Sequence, residues 1–212
     1  AMVGVGHRMN SWITPIVKLY SNRAEVVALC DPVEQRCLDA MEKHGLHGAR
    51  AYTDYDRMLA EGKPDGVVVC SPEHVHAEHI VKALDAGCRV ATEKPLCVTG
   101  EDARAILDAE HRNGRSVYMG FNYRHIPLCM TVKRLIAEGT IGRPVSADLT
   151  WYLDYRGHGA SYFRRWHSIM AKSGGLLITK ATQSPARMIS LVSSISSDTT
   201  AVLGRSSIAP SL

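Results

Sequence analysis

The stretch MVGVGHRM, residues 2–9, is a short apolar run that passes directly into glycines. Gly4 and Gly6 fit the first two positions of a phosphate-binding fingerprint. In that pattern one glycine makes a tight turn and the next lets backbone approach a pyrophosphate at a helix N-terminus. The third glycine of the pattern is Met9 here, so a plain glycine turn between a strand and a helix stays open as the alternative.

The first 122 residues repeat this strand-then-helix order. Apolar runs of strand type occur at 2–6, 25–31, 49–52, 65–72, 88–95 and 115–122. Helical patterns lie between them, at 11–20, 32–45, 54–62, 73–87 and 99–114. Parallel strands that are buried on both faces read as continuous apolar runs. The alternation therefore predicts an α/β fold with a doubly wound parallel sheet, a Rossmann domain over residues 1–122.

Single residues predict where several helices begin. Pro15 predicts that the first helix starts late or kinks, and Pro32 is predicted at the first position of the second helix. Thr99 and Asp102 have the spacing of a capping box. Beyond the sixth strand, a helical pattern at 130–142 and a strand-like run at 144–155 predict a partial second α/β domain with an open sheet, over residues 123–212.

Composition excludes several classes of protein. The chain has 212 residues, 45% of them hydrophobic, which is enough to bury a core. No apolar run approaches the ~18 residues of a membrane span and no leader pattern opens the chain, so a cytoplasmic protein without a membrane partner is predicted. The net charge of +4 is spread along the chain, which gives no case for nucleic acid. Six cysteines without a C-x-x-C pair predict free thiols in a reducing compartment, and no metal site is predicted.

Asp31 ends the second apolar run, at the edge where a doubly wound sheet binds its ligand. A carboxylate there accepts the ribose hydroxyls of an adenosine and repels a 2′-phosphate, which favours NAD over NADP. The alternative is that Asp31 only caps the helix that follows.

Lys94 follows the fifth apolar run and is the hardest residue to explain structurally. A lysine that is partly desolvated at the binding edge can exchange protons near neutral pH. The alternative is a surface ion pair with Glu93. His76, after the fourth run, is either a buried hydrogen-bonded histidine or a contact of a nicotinamide.

Five ordered motifs resemble one family: GVGHR at 4–8, CDP at 30–32, SPEHVHAEH at 71–79, EKPL at 93–96 and GFNYRHIP at 120–127. Together they resemble the Gfo/Idh/MocA oxidoreductases, relatives of glucose–fructose oxidoreductase and inositol dehydrogenase, over residues 2–182. The resemblance implies a Rossmann domain that binds NAD(P), followed by an α/β domain that carries the substrate. Substrates in this family are usually sugars, inositols or related polyols, and the chain is expected to form a homo-oligomer.

The resemblance also implies residue roles. Lys94 is the catalytic lysine, and Lys94–Pro95 is the family's usual cis peptide. The implied cofactor-binding residues are Gly4, Gly6, His7, Arg8, Asp31, Ser71, Pro72, His76, Glu93, Lys94 and Asn122. The implied substrate contacts are Arg124, Tyr152, Asp154, Arg164, Arg165 and His167.

The sequence departs from the family after Thr182. The subset that reads like SGGLLITKAT, residues 173–182, continues with two histidines, an aromatic residue and an aspartate. Gln183 and Ala186 fall in that region, and neither side chain can act as a base. Lys180 is predicted as a substitute catalytic residue. The tail after Thr182 is rich in serine, which indicates truncation or a frameshift.

Two functions follow from this sequence. The first is an NAD-dependent oxidoreductase that transfers a hydride between nicotinamide and a sugar, inositol or related polyol. The second is a catalytically impaired nucleotide-binding protein, a decayed enzyme, sensor or scaffold that lacks the base of the second domain.

Overall fold

The computed structural model of the chain describes residues 1–146, 156, 160–175 and 178–179. Two compact units are distinguished: the first combines Ala1–Asn122 with the described residues from 151–183, and the second begins at Tyr123. The predicted division into domains 1–122 and 123–212 stays a prediction. Within the described residues, no helix has the length and apolar character needed to cross a membrane.

A six-stranded parallel sheet forms the centre of the first unit, which confirms the predicted fold class. Its strands are β1 Met2–Val3, β2 Ala28–Cys30, β3 Arg50–Tyr52, β4 Gly66–Val69, β5 Arg89–Thr92 and β6 Val117–Met119. The strand order is β3-β2-β1-β4-β5-β6, so the direction of winding reverses between β1 and β4. In open α/β sheets ligands bind at this reversal, beyond the carboxyl ends of the strands.

Helices connect these strands. They are α1 Asn10–Leu19, α2 Glu34–His44, α3 Tyr55–Gly62, α4 His76–Asp85 and α5 Gly100–Asn113. Short 3-10 turns at His7–Met9 and Glu73–Val75 precede α1 and α4.

Helix boundaries match the sequence signals in part. Pro15 lies inside α1 without delaying its start. Pro32 is not the first helical residue as predicted, because α2 begins at Glu34 after Val33. Thr99 caps α5 by accepting the Asp102 N–H, and Gly45 ends α2 in the left-handed conformation.

Side chains that alternate along the strands supply a core on each face of the sheet. On one face Val3, Val67 and Val69 pack with residues of α3, α4 and α5, including Met58, Ile80 and Ile106. On the other face Met2 and Leu29 pack with residues of α1 and α2, including Ile13 and Cys37. All six cysteines are free thiols, as predicted. The two cores fix the strand ends that carry the site.

Three further helices lie in the described residues after β6. Helix α6 spans Pro127–Ala137, earlier than the predicted 130–142, and lies in the second unit. Helix α7 spans Ala160–Arg164, a 3-10 turn spans Trp166–Ser168, and helix α8 spans Met170–Ser173. Most of the predicted strand at 144–155 and the whole tail after Thr182 lie outside the described residues.

Candidate active site

The loops after β1 and β4 touch at Gly4. Gly4 has φ +86°, and a Cβ built on it would lie 2.3 Å from the Ser71 backbone nitrogen. Only glycine fits such an approach without moving backbone, and glycine also adopts this φ at low cost. The first glycine of the fingerprint therefore joins the two loops at the reversal of strand order.

Gly6 faces open space. A Cβ on Gly6 would meet nothing within 4 Å, and the segment that follows runs from the 3-10 turn His7–Met9 into α1. No side chain caps the start of this turn, and no acidic residue occupies its first turn. A helix start with these properties fits a pyrophosphate. Met9, at the third fingerprint position, is 1% exposed and packs in the core.

Asp31 is buried at the end of β2 and organises the loops around it. Its Oδ2 accepts the Val5 N–H at 2.9 Å, and its Oδ1 accepts the Val33 N–H at 3.0 Å. Arg36 Nη1 lies 3.3 Å from the same Oδ1. The carboxylate therefore binds the backbone of Val33, the residue before α2, but no side chain caps this helix, so the capping alternative is not confirmed. The carboxylate oxygens retain acceptor capacity for a ribose.

Glu93 is 5% exposed and links the phosphate loop to the lysine loop. Its Oε1 accepts the Arg8 Nε–H and the Trp12 Nε1–H, each at 2.7 Å. Its Oε2 lies 3.4 Å from the Lys94 backbone nitrogen. The alternative of a surface pair between Lys94 and Glu93 is wrong, because this carboxylate is buried and holds the Arg8 guanidinium.

His76 connects the loops after β4 and β5. Its Nδ1 lies 2.7 Å from the Pro95 carbonyl oxygen, and its Nε2 lies 2.8 Å from the Ser71 carbonyl oxygen. Burial lowers the pKa of His76, while these two bonds act in the opposite direction. This is the buried, hydrogen-bonded histidine of the two alternatives, and its contact with a nicotinamide stays a prediction.

Ser71, in the same loop, lies with its Oγ 2.9 Å from His79 Nδ1. Burial lowers the pKa of His79 to about 4, so this imidazole is neutral at physiological pH.

Lys94 lies at the carboxyl end of β5. The Lys94–Pro95 peptide is cis, which confirms the expectation. The Nζ donates to the Thr179 carbonyl oxygen at 2.9 Å. The lysine is therefore placed at the ligand edge and contacts a residue from the later part of the first unit.

Glu73 was not predicted as a site residue, yet it makes a second contact with that later part. It is 6% exposed, and its carboxylate accepts the Trp166 Nε1–H and lies 3.1 Å from His167 Nε2. Burial alone would raise the pKa of Glu73, but the hydrogen bonds from His167 and Trp166 lower it to about 2. The His167 Nδ1 is buried without a hydrogen-bond partner among the described residues.

The other predicted residues are more scattered. Arg164 and Arg165 are exposed, and the Arg165 guanidinium lies 5.2 Å from the centre of the Trp166 ring. Asn122 is exposed at the end of the first unit, and Arg124 lies in the second unit. Tyr152, Asp154 and Lys180 lie outside the described residues.

Several residues of this site were not predicted from the sequence, among them Trp12, Arg36, Glu73 and Ser173. Glu73 stands inside the SPEHVHAEH motif, and an acidic residue in a buried loop is a signal that could have found it. The others are recognisable only from contacts between residues far apart in the chain. Within the described residues, no group of three His, Cys, Asp or Glu side chains could hold a metal ion.

The strand order, the glycine turn at a helix start and the acidic residue after β2 define a dinucleotide-binding Rossmann protein. The chain belongs to the Gfo/Idh/MocA group: residues 1–121 match the oxidoreductase family with an NAD-binding Rossmann fold.

Curated relatives agree with this assignment. The Bacillus subtilis protein YteT is 37% identical over 174 residues, which is 81% of this chain and 40% of YteT. Inositol 2-dehydrogenase of Salmonella typhimurium is 33% identical over 145 residues, 68% of this chain and 43% of that enzyme. The chain thus spans about two fifths of the length of these curated relatives.

Solved structures are similar as well. Scyllo-inositol dehydrogenase of Lactobacillus casei with bound NAD(H) and scyllo-inositol has a TM-score of 0.73 and 25% identity, covering 89% of this chain and 54% of that one. The WlbA dehydrogenase of Bordetella pertussis, in complex with NADH and UDP-GlcNAcA, has a TM-score of 0.74 and 26% identity, covering 86% and 55%.

Proposed function

We propose that this chain takes part in hydride transfer between a nicotinamide cofactor and a hydroxyl-bearing carbon of a sugar, inositol or related polyol. The observation that carries the proposal is that the candidate cofactor-binding groups and Lys94 lie at the same edge of the sheet. Three groups follow the carboxyl ends of strands on either side of the point where the strand order reverses. They are the backbone at Gly6, which faces open space, the Asp31 carboxylate and Lys94. The names of the relatives, inositol and glucoside dehydrogenases, support the substrate class.

The cofactor would be held by the chain's own groups. The segment from Gly6 to Met9 would receive the pyrophosphate, Arg8 would add a positive charge, and Asp31 would accept the adenosine ribose hydroxyls. When bound, a nicotinamide supplies the hydride acceptor or donor. We infer NAD as the cofactor, since a buried carboxylate beside the ribose repels a 2′-phosphate. Arg36, which faces Asp31 at 3.3 Å, weakens this discrimination.

Lys94 is the residue we assign to the reacting oxygen. When neutral, the Lys94 amine would accept the proton of the substrate hydroxyl, and the ammonium group so formed would stabilise the negative charge on the oxygen until the hydride leaves the carbon and the carbonyl forms. The hydrogen bond from its Nζ to the Thr179 carbonyl oxygen supports this assignment. The roles of Lys180 and of the polar residues Tyr152 and Asp154 stay predictions.

Calorimetric titration with NAD, NADH and NADP, followed by a polyol and sugar panel monitored at the nicotinamide absorbance, tests the proposal. NAD is expected to bind more tightly than NADP, and at least one polyol is expected to reduce it. In an active chain, Lys94→Ala abolishes turnover and leaves NAD affinity within about threefold. Failure to bind any nicotinamide nucleotide would reject the assignment.

A second function is favoured by one sequence observation. Gln183 and Ala186 stand where the family subset has histidines and an aspartate, so the chain would bind nucleotide without turnover. Tight NAD binding together with no reduction by any compound of the panel is the result that selects this alternative.

Self-association is also part of the proposal. Leu128, Met130, Ile141 and Val145 are at least half exposed in the second unit, and burying such side chains against another copy is favourable. Light scattering of the full chain tests this, and a monomer at all concentrations contradicts it.

A further inference from the structure

We propose that Glu73 and Ser173 are positioning residues for Lys94, acting through a chain of hydrogen bonds that crosses the ligand edge of the sheet. The catalytic role of Lys94 rests on the proposed function. The hydrogen bonds that position Lys94 are contacts between described residues.

The chain of bonds runs without a gap from the loop after β4 to the lysine after β5. His167 Nε2 lies 3.1 Å from the Glu73 Oε1, and the Ser173 Oγ lies 2.8 Å from the His167 carbonyl oxygen. The Thr179 Oγ1 donates to the Ser173 carbonyl oxygen at 3.3 Å. The Lys94 Nζ then donates to the Thr179 carbonyl oxygen at 2.9 Å.

Burial makes each link costly to lose. Glu73 is 6% exposed, and Ser173 and Thr179 are 0% exposed. A buried polar group that loses its partner keeps the cost of having been removed from water. The bonds therefore favour one arrangement of the described residues between 166 and 179, which we call the late segment.

Glu73 anchors the start of the late segment. Its carboxylate takes donors from two consecutive residues, Trp166 and His167, whose rings stack with centroids 4.8 Å apart. Two bonds to one carboxylate fix both the distance and the rotation of this turn.

Ser173 ties the middle of the late segment together. Its Oγ lies 2.8 Å from the His167 carbonyl oxygen and 3.2 Å from that of Ile169, and it accepts the Gly175 N–H at 3.0 Å. Gly174 follows with φ +67°, and a Cβ there would come within 2.9 Å of Ile178. The backbone is thus turned so that Thr179 faces Lys94.

The consequence concerns the ammonium group of Lys94. Lysine has several flexible bonds, so a catalytic position must be imposed by its partners. Here one partner is the Thr179 carbonyl, whose place depends on Ser173 and Glu73. Loosening either residue should misplace the Nζ and leave the dinucleotide loops, which are held by Gly4 and Asp31, in place.

The test measures the chemical reactivity of Lys94 in the full chain. Ser173→Ala, Glu73→Gln and the milder Trp166→Phe are compared with wild type and with Ser168→Ala. Ser168 is an exposed serine of the same turn that bonds only to the Arg165 carbonyl among the described residues. Reductive methylation is followed by peptide mass spectrometry, with Lys82 of α4 as the internal standard. Calorimetry gives the NAD dissociation constant, and melting curves show that each variant is folded.

Lys94 in Ser173→Ala and Glu73→Gln is expected to react several-fold faster relative to Lys82, with a smaller increase in Trp166→Phe and none in Ser168→Ala. NAD affinity is expected to stay within about threefold. In an active chain the kcat falls by about 10- to 100-fold, as misplacement of a reacting group by about 1 Å predicts, while the KM for NAD changes little.

Equal Lys94 reactivity in wild type and all folded variants overturns the inference. That readout does not require turnover. A wild type that binds no NAD therefore refutes the proposed function, whereas unchanged reactivity refutes the positioning role. If Ser173→Ala fails to fold, Trp166→Phe and Glu73→Gln decide the question.

Discussion

The dinucleotide loops and the late segment reach the same edge of the sheet by different means. At the loops after β1, β2 and β4, backbone meets backbone: Gly4 lies against Ser71, and the Gly4 N–H donates to the Cys30 carbonyl oxygen at 2.9 Å. The late segment instead depends on a few side chains, above all Glu73 and Ser173. The first arrangement depends on close contact between backbone atoms, so one added methyl group at Gly4 disturbs it. The second can be undone by removing one oxygen atom.

The largest expected effect comes from breaking the backbone contact. Gly4→Ala places a Cβ within 2.3–2.6 Å of three atoms of Cys70 and Ser71 and keeps an unfavourable φ. We expect it to lower the free energy of unfolding by more than about 3 kcal/mol and to abolish NAD binding. Urea unfolding and calorimetry measure both effects.

Gly87→Ala is the matched control, because Gly87 has φ +81° and nothing within 4 Å of a Cβ. It carries the conformational strain without the clash, about 1–2 kcal/mol. Equal losses in the two variants would show that strain, and not the approach of the loops, sets the cost at Gly4.

Glu93→Gln tests how much one buried carboxylate contributes to the stability of the dinucleotide loops. The change removes the charge that holds Arg8 and Trp12 at 2.7 Å. Because hydrogen bonds to a buried charged group contribute about 1.5–3 kcal/mol, we expect a loss of about 2 kcal/mol in the free energy of unfolding. Glu61→Gln, in the more exposed ion pairs with Arg50 and Arg57, should cost much less, because exposed ion pairs contribute little to stability. If Glu93→Gln lowered the free energy of unfolding as little as Glu61→Gln, the Glu93 carboxylate would not be what links the phosphate loop to the lysine loop.

Asp31→Asn tests the proposed ribose site. Its amide retains one acceptor for the Val5 N–H but removes the charge that would face the ribose. We expect NAD affinity to fall about tenfold, about 1.4 kcal/mol, and the preference for NAD over NADP to shrink. The exposed Asp39→Asn on α2 is the control, and calorimetry with both nucleotides is the measurement. An unchanged ratio of the two affinities would remove Asp31 from the ribose site.

The same contrast explains what the sequence could predict. Apolar runs that alternate with amphipathic helices indicate a sheet that is buried on both faces. Residues such as Val67–Val69 and Ile80 therefore predict the order of strands and helices. Gly4, Gly6, Asp31 and Lys94 could be placed at the ligand edge from the sequence, because each follows the end of an apolar run of strand type. Glu73, His167 and Ser173 form their network across about a hundred residues, and no local pattern encodes which carbonyl a buried hydroxyl will meet. For His76 the sequence left two alternatives, because the same local pattern fits a buried hydrogen-bonded histidine and a contact of the nicotinamide.

The last expected effect is a pH dependence located at the late segment. In the folded chain, hydrogen bonds from His167 and Trp166 offset burial and hold the pKa of Glu73 at about 2, below the ordinary value of 4.5. A carboxyl group with a depressed folded pKa contributes stability that is present above the unfolded pKa and is lost as the pH falls through the folded pKa. Glu73 should therefore stabilise the chain fully above about pH 4.5 and lose that contribution progressively towards pH 2.

In Glu73→Gln this contribution is absent, so its free energy of unfolding should depend less steeply on acid than that of wild type between pH 4.5 and 2. The difference in slope is at most one proton, about 1.4 kcal/mol per pH unit. Urea unfolding at several pH values in this range measures it, with Glu101→Gln, an exposed acid in the first turn of α5, as the control. Parallel pH profiles for wild type and Glu73→Gln would mean that the carboxylate is not held by the Trp166 turn in solution. The late segment would then owe its place at the ligand edge to other contacts.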